Sequence, residues 1–359
     1  MVSPDTNRLI DRDVEKSGRD ENEFVPNGDK PETGAGSSLK YISLVVLTLQ
    51  NAVLILVMRY VRVRKGDMFI ASTAVVMTEL LKFIASLTFI FLEQGCNVRL
   101  WLQYLHEHTI KQPLDCLKVS VPAIVYMLQN NLLYVALSNL EAATFQVTYQ
   151  LKILTTAIFS VIMLRKALSR LQWVALVILF IGVSAVQLQP HDSKVSKKVA
   201  TEQNHLVGLV AVIVSCVMSG FAGVYFEKIL KGTKPSLWLR NAQLASIGVV
   251  FGLITVIIND GDELRGKSYF FGYDWVVWFV ICLQSFGGLL VAVVVKYADN
   301  ILKGFATSAA IILSCVLSIY LFDFKLSVQF TIGASLVMVS LYMYSRYVPK
   351  PAALLPTQA

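Results

Sequence analysis

Ten mostly apolar stretches of about twenty residues recur along this 359-residue chain, at 39–60, 68–92, 117–137, 142–164, 171–188, 206–230, 237–258, 275–295, 302–322 and 328–347. A helix of that length crosses the ~30 Å hydrocarbon core of a bilayer. At 55% apolar and 16% charged residues, the chain has more apolar surface than a water-soluble fold of its size could hide. The expected fold is an all-α polytopic membrane protein with ten transmembrane helices.

An even number of spans puts both termini on one side. Arg165, Lys166, Arg170, Lys231, Lys234 and Arg240 fall in loops on that side, which the positive-inside rule makes cytosolic, although Arg62, Arg64 and Lys65 lie opposite. The net charge of +8 is spread over short loops with no separate basic module, so it implies no nucleic-acid partner. The anionic headgroups of membrane lipids and an anionic solute explain the excess more simply. Residues 1–38 mix acidic and basic side chains and close on Gly-Ala-Gly-Ser-Ser, the composition of a disordered tail. That tail has no signal-peptide core, so the first span is expected to target the chain. Cys96, Cys116, Cys216, Cys282 and Cys315 are scattered and give neither a disulfide framework nor a zinc spacing.

The longest polar interruption between spans, residues 189–205, divides the ten into five plus five. An odd number per half makes the halves inverted repeats, with a substrate site expected at their interface near the midplane. The resulting organisation is a cytosolic tail (1–38), a first five-helix repeat (39–190), a linker (191–204), a second repeat (205–348) and a cytosolic tail (349–359). Gly248 with Gly252, and Gly287 with Gly288, read as helix-packing positions.

Two lysines stand in corresponding places. Leu151-Lys152-Ile153-Leu154-Thr155-Thr156 reads against Leu302-Lys303-Gly304-Phe305-Ala306-Thr307, with Leu before each lysine and Thr at +4. A charge at the centre of a membrane helix costs ~2.5–3.5 kcal/mol on insertion scales, so each lysine is a functional candidate unless it snorkels from a helix end. A helical reading puts Tyr149, Lys152 and Thr156 on one stripe. In the preceding span Tyr126 and Asn130 share a face, with Gln129 and Asn131 adjacent. A ring beside an amide suits a pyrimidine, which it can stack on and hydrogen-bond, although such amides also join spans to one another. Glu79 with Lys82, and Glu227 with Lys228, read as internal ion pairs.

A membrane-embedded enzyme is the competing class. Asp260-Gly261-Asp262 matches the DxD string with which sugar-transferring enzymes hold a divalent ion, but Asn259-Asp260-Gly261-Asp262 also reads as a turn between spans. His106-Glu107-His108 lacks the spacing of a helix-borne zinc site, and no phosphate-cradling glycine loop or nucleophile elbow is present. No cofactor or metal is expected.

Three segments carry a resemblance: Ala143 to Thr156 (ATFQVTYQLKILTT), Ser219 to Lys231 (SGFAGVYFEKILK) and Val295 to Phe305 (VKYADNILKGF). They closely resemble the Golgi nucleotide-sugar transporters, over roughly residues 39–348. The chain looks most like the UDP-galactose and UDP-N-acetylglucosamine branch, and less like the CMP-sialic acid branch, which carries a tyrosine where this chain has Ala245. The resemblance implies a drug/metabolite-transporter fold that imports a nucleotide sugar, here UDP-galactose and also UDP-N-acetylglucosamine or UDP-N-acetylgalactosamine, in exchange for luminal UMP. It also implies a Golgi membrane location. Lys152 and Lys303 match phosphate-facing lysines, Tyr126 and Asn130 match base-facing positions, and Ser219 and Asn241 match positions lining the nucleotide pocket. A CMP-sialic acid carrier of the same fold is the nearest alternative. Homo-oligomerisation is left open.

Overall fold

The computed structural model describes residues 34–63, 69–140, 142–188, 204–232, 235–322 and 327–346. The tail up to residue 33, the linker residues 191–203 and the tail 349–359 lie outside the described residues, as do Arg64, Lys65, Lys234 and the side chain of Arg62. All described residues belong to one compact unit, Thr33–Ala359. They form twelve α-helices and no strand: α1 (Gly34–Val63), α2 (Ala71–Glu93), α3 (Val98–Leu105), α4 (Pro113–Asn139), α5 (Ala142–Tyr149), α6 (Lys152–Leu164), α7 (Arg170–Gln187), α8 (His205–Gly232), α9 (Leu237–Leu264), α10 (Trp275–Tyr297), α11 (Asn300–Phe322) and α12 (Val328–Arg346). A π-helical turn, His106–Ile110, extends α3.

Two boundaries differ from the hydropathy reading. Residues 34–38, expected in the tail, are already helical. The DxD string is not a turn, because Asp260 to Asp262 complete the last turns of α9. Among the described residues nine helices are long and apolar enough to cross a membrane, and a tenth apolar helix, Arg170–Val186, falls just short. Large apolar side chains point outward along them, including Ile257 (72% exposed), Ile258 (74%) and Val328 (78%). So much exposed apolar surface calls for lipid rather than water around the helices. The chain is a multi-pass membrane protein.

Inside, hydroxyls bond the carbonyl one turn back and then reach a neighbouring helix. Ser285 donates to Ile281 O (2.8 Å) and across to Thr78 O (3.1 Å), while Thr155 donates to Cys216 O (2.8 Å). Glycines set the closest crossings. A Cβ on Gly182 of α7 would sit 2.9 Å from the Gly333 carbonyl, and one on Gly333 of α12 would sit 2.8 Å from the Gly182 carbonyl.

Numbering the ten apolar helices as spans, with α3 omitted and α5 and α6 together as the fourth, reveals a pattern in their packing. Spans 1 and 9 pack as 6 and 4 do, 1 and 8 as 6 and 3, and 2 and 8 as 7 and 3; the pairs 2 with 7 and 5 with 10 map onto themselves. A shift of five spans therefore carries each of these pairings onto another or onto itself.

Candidate functional site

The fourth span is not one helix, as the stripe reading required. It breaks after Tyr149, where Gln150 and Leu151 turn on tightened bonds to Val147 O (3.1 Å) and Thr148 O (3.0 Å), and α6 starts at Lys152. The break carries the Lys152 ammonium over the Tyr149 ring, 4.0 Å from its centroid, in a cation–π contact. Phe145 stacks on Tyr149 from the preceding turn, 5.7 Å between ring centroids. Gln129 donates from Nε2 to the Tyr149 hydroxyl (3.1 Å), and the Ser219 hydroxyl interacts with the same phenol.

These groups line a cavity of about 690 Å³, within the ~300–1,000 Å³ usual for small-molecule sites. Tyr126 and Gln129 of α4, Tyr149, Lys152 and Thr156 of the broken span, and Ser219 and Gly223 of α8 form one wall. Asn300, Lys303, Thr307 and Ser308 of α11 form the other. The two lysines therefore meet one space, and no Asp or Glu is among its lining residues. Two acceptors in the lining, Gln129 Oε1 and Asn300 Oδ1, are buried with no hydrogen-bond partner among the described residues.

One end of the cavity is closed by charge. Glu227, fully buried one turn beyond Gly223, accepts from Lys231 Nζ (2.8 Å), the Asn300 backbone N–H (3.0 Å) and Asn300 Nδ2 (3.3 Å), and lies 3.7 Å from Lys166 Nζ. Lys166 also pairs with Asp299 at 2.7 Å, and Lys231 donates to the Ala298 carbonyl (2.6 Å). Burial pushes the Asp299 carboxyl up, but the Lys166 charge, its hydrogen bond and the Leu302 N–H outweigh that and hold it below the ordinary carboxylate value. Burial likewise draws the Lys166 ammonium down, while Asp299 and Glu227 more than reverse it, so its value is raised. This plug joins the α6–α7 loop, the end of α8 and the α10–α11 junction. Glu227 takes Lys231 one turn on, because adjacent helical residues such as Lys228 diverge by ~100°.

Other expected residues lie elsewhere. Asn130 is exposed one turn beyond Tyr126 and is outside the cavity lining. Asn241 is buried near the start of α9, which packs on α2 and α4 and does not border the cavity. Its neighbour Arg240 is 1% exposed and pairs with Asp115 at 2.5 Å. Ala245 is buried in the same helix. Glu79 and Lys82 form an ion pair at 2.7 Å, packed where Gly248 and Gly288 leave room for them. Asp260 bonds Ser72, whereas Asp262 faces Arg265 at 3.4 Å, so the two DxD carboxylates do not converge. Gly223, Asn300, Lys166 and Asp299 have no distinguishing hydropathy or spacing; the polar pair Asp299-Asn300 between two apolar runs is the one trace of them.

Residues 35–345 match the nucleotide-sugar transporter family. The chain is 55% identical to the UDP-galactose translocator of Mus musculus over 87% of this chain and 80% of that one. It is 54% identical to the Homo sapiens UDP-galactose translocator over 89% of this chain and 80% of that one. It is also 51% identical to the Homo sapiens UDP-N-acetylglucosamine transporter over 90% of this chain and 99% of that one. A crystal structure only 12% identical shares the fold, with a TM-score of 0.60 over 86% of this chain and 98% of that one. Nine-tenths of the chain is thus accounted for by one group of carriers, and the protein belongs to the nucleotide-sugar transporter family.

Proposed function

We propose that this carrier imports a UDP-sugar, UDP-galactose first and UDP-N-acetylglucosamine or UDP-N-acetylgalactosamine besides, into the Golgi lumen in exchange for UMP by alternating access. The observation that carries the reading is a cavity lined by two lysines and no carboxylate. Lys152 and Lys303 grip the phosphates, each contact worth ~1.5–3 kcal/mol when partly desolvated. Tyr126, Gln129, Tyr149 and Ser219 take the nucleoside. An empty carrier would have to occlude two ammonium groups at ~5–7 kcal/mol, so the empty return is slow and UMP offsets it; that difference drives exchange rather than uniport.

The packing pattern that repeats on a five-span shift supports two inverted five-helix repeats, 39–190 and 205–348. With both termini cytosolic the plug lies on the cytosolic side, and the cavity, which extends from it toward Val186 and Cys315, faces the lumen. The name borne by the UDP-galactose translocators, 55% and 54% identical to this chain, favours galactose. Membrane lipids bound at the basic cytosolic loops, and a homo-oligomer, fit the same reading.

The test is counterflow in proteoliposomes loaded with UMP, following radiolabelled UDP-galactose. Lys303→Ala, shown to be folded by its melting profile, is expected to lose at least about tenfold of UMP-dependent uptake. Uptake at the wild-type rate would refute the phosphate role.

A further inference from the structure

Asn300, the first residue of α11 and 3% exposed, stands between the cavity and the plug. Its neighbours dictate how its amide is turned. Nδ2 donates to the Gly223 carbonyl and to Glu227 Oε2 at 3.3 Å. Both are acceptors, so reversing the amide would set oxygen against oxygen twice; the NH2 belongs in the plug and Oδ1 is left over. Oδ1 is buried and has no partner among the described residues. Such an acceptor is costly unless something donates to it.

The space beside Oδ1 belongs to the cavity. The point where a Cβ would sit on Gly223, itself a lining residue, is 3.4 Å from Asn300 Oδ1 and 3.5 Å from the Tyr126 hydroxyl. Phosphate oxygens only accept, so the group that answers Oδ1 must come from another part of the ligand. Asn300 and Lys303 are three apart on one helix face, about 4.5 Å along the axis. In UMP, which carries no hexose, the donors within one turn of a phosphate at Lys303 are the hydroxyls of its ribose; the pyrimidine N–H lies farther out.

We infer that Asn300 Oδ1 accepts a hydrogen bond from a ribose hydroxyl of the nucleotide. The inference rests on the exchange reading above. It makes one side chain both a reader of the sugar ring and a member of the plug, so a ribonucleotide that engages Oδ1 also holds Nδ2 on Glu227.

The experiment measures competition of UMP, 2′-deoxy-UMP and 3′-deoxy-UMP against radiolabelled UDP-galactose on the full-length protein in proteoliposomes. In the wild type at least one deoxy analogue is expected to bind about 3- to 10-fold more weakly than UMP. In Asn300→Ala and in Asn300→Ser that ratio should collapse to about one. Equal competition by all three nucleotides on the wild type would overturn the inference without any variant, and so would a variant that keeps the wild-type ratio. A wild type that does not recognise UMP at all defeats the exchange reading itself, and this inference with it.

Discussion

Asp299 does two jobs that substitution can separate. Its Oδ2 accepts from Lys166 Nζ at 2.7 Å, and its Oδ1 accepts from the Leu302 backbone N–H at 2.7 Å, capping α11. A charge-assisted bond contributes ~1.5–3 kcal/mol, and with side chains 28% and 15% exposed the pair belongs near ~2 kcal/mol. An N-cap adds ~1 kcal/mol. Asp299→Asn keeps a capping oxygen and loses the charge, so it should cost ~2 kcal/mol; Asp299→Ala loses both and should cost ~3 kcal/mol. Lys166→Ala combined with Asp299→Asn should show a coupling of ~1.5–2 kcal/mol. The assay is SDS titration of the protein in mixed micelles, as a double-mutant cycle. Coupling near zero, or Asn and Ala variants of equal stability, would refute the plug as drawn.

The same pair predicts a pH response. The Asp299 carboxyl lies below its ordinary 3.8, so its contribution is complete above that value and is lost only as pH falls through the lowered one. The Lys166 ammonium lies above its ordinary 10.5, so its contribution is complete below that value and is lost as pH rises through the raised one. The measured coupling should therefore be unchanged between about pH 5.5 and 7.5. At the α7–α12 crossing, Gly182→Ala would press a methyl against the Gly333 carbonyl and should destabilise by ~1–3 kcal/mol in the same titration.

Hydropathy located the helices because a bilayer demands long apolar runs, and the matched lysine segments pointed to both cations of the cavity. The break at Gln150 and Leu151 was not legible, since neither residue is Gly or Pro and 142–164 reads as a single span. The partners of Glu227 were not legible either. Lys166 and Asn300 come from the α6–α7 loop and the start of α11, and their meeting is a product of tertiary packing. Asn241 reads as a site residue from its motif, yet its helix packs away from the cavity. Asn300 carries no periodic signal; its importance shows only when the acceptors around Nδ2 are counted.

The Gly182–Gly333 crossing brings backbone against backbone with no side chain between to change rotamer. Repacking at an ordinary helix contact is done by side chains at the point of crossing, and here that point is backbone, with Val186, Leu336 and Val337 beside it. It also belongs to one of the two pairings that the five-span shift maps onto themselves, so it lies where an inverted pair of halves would have its axis. A seam of that kind lies at the edge of the bundle, where α12 packs chiefly on α7, and it suits a fulcrum about which the two halves turn. Alternation between the two faces would then be a rocking about α7 and α12 that opens the plug at the ends of α8 and α11.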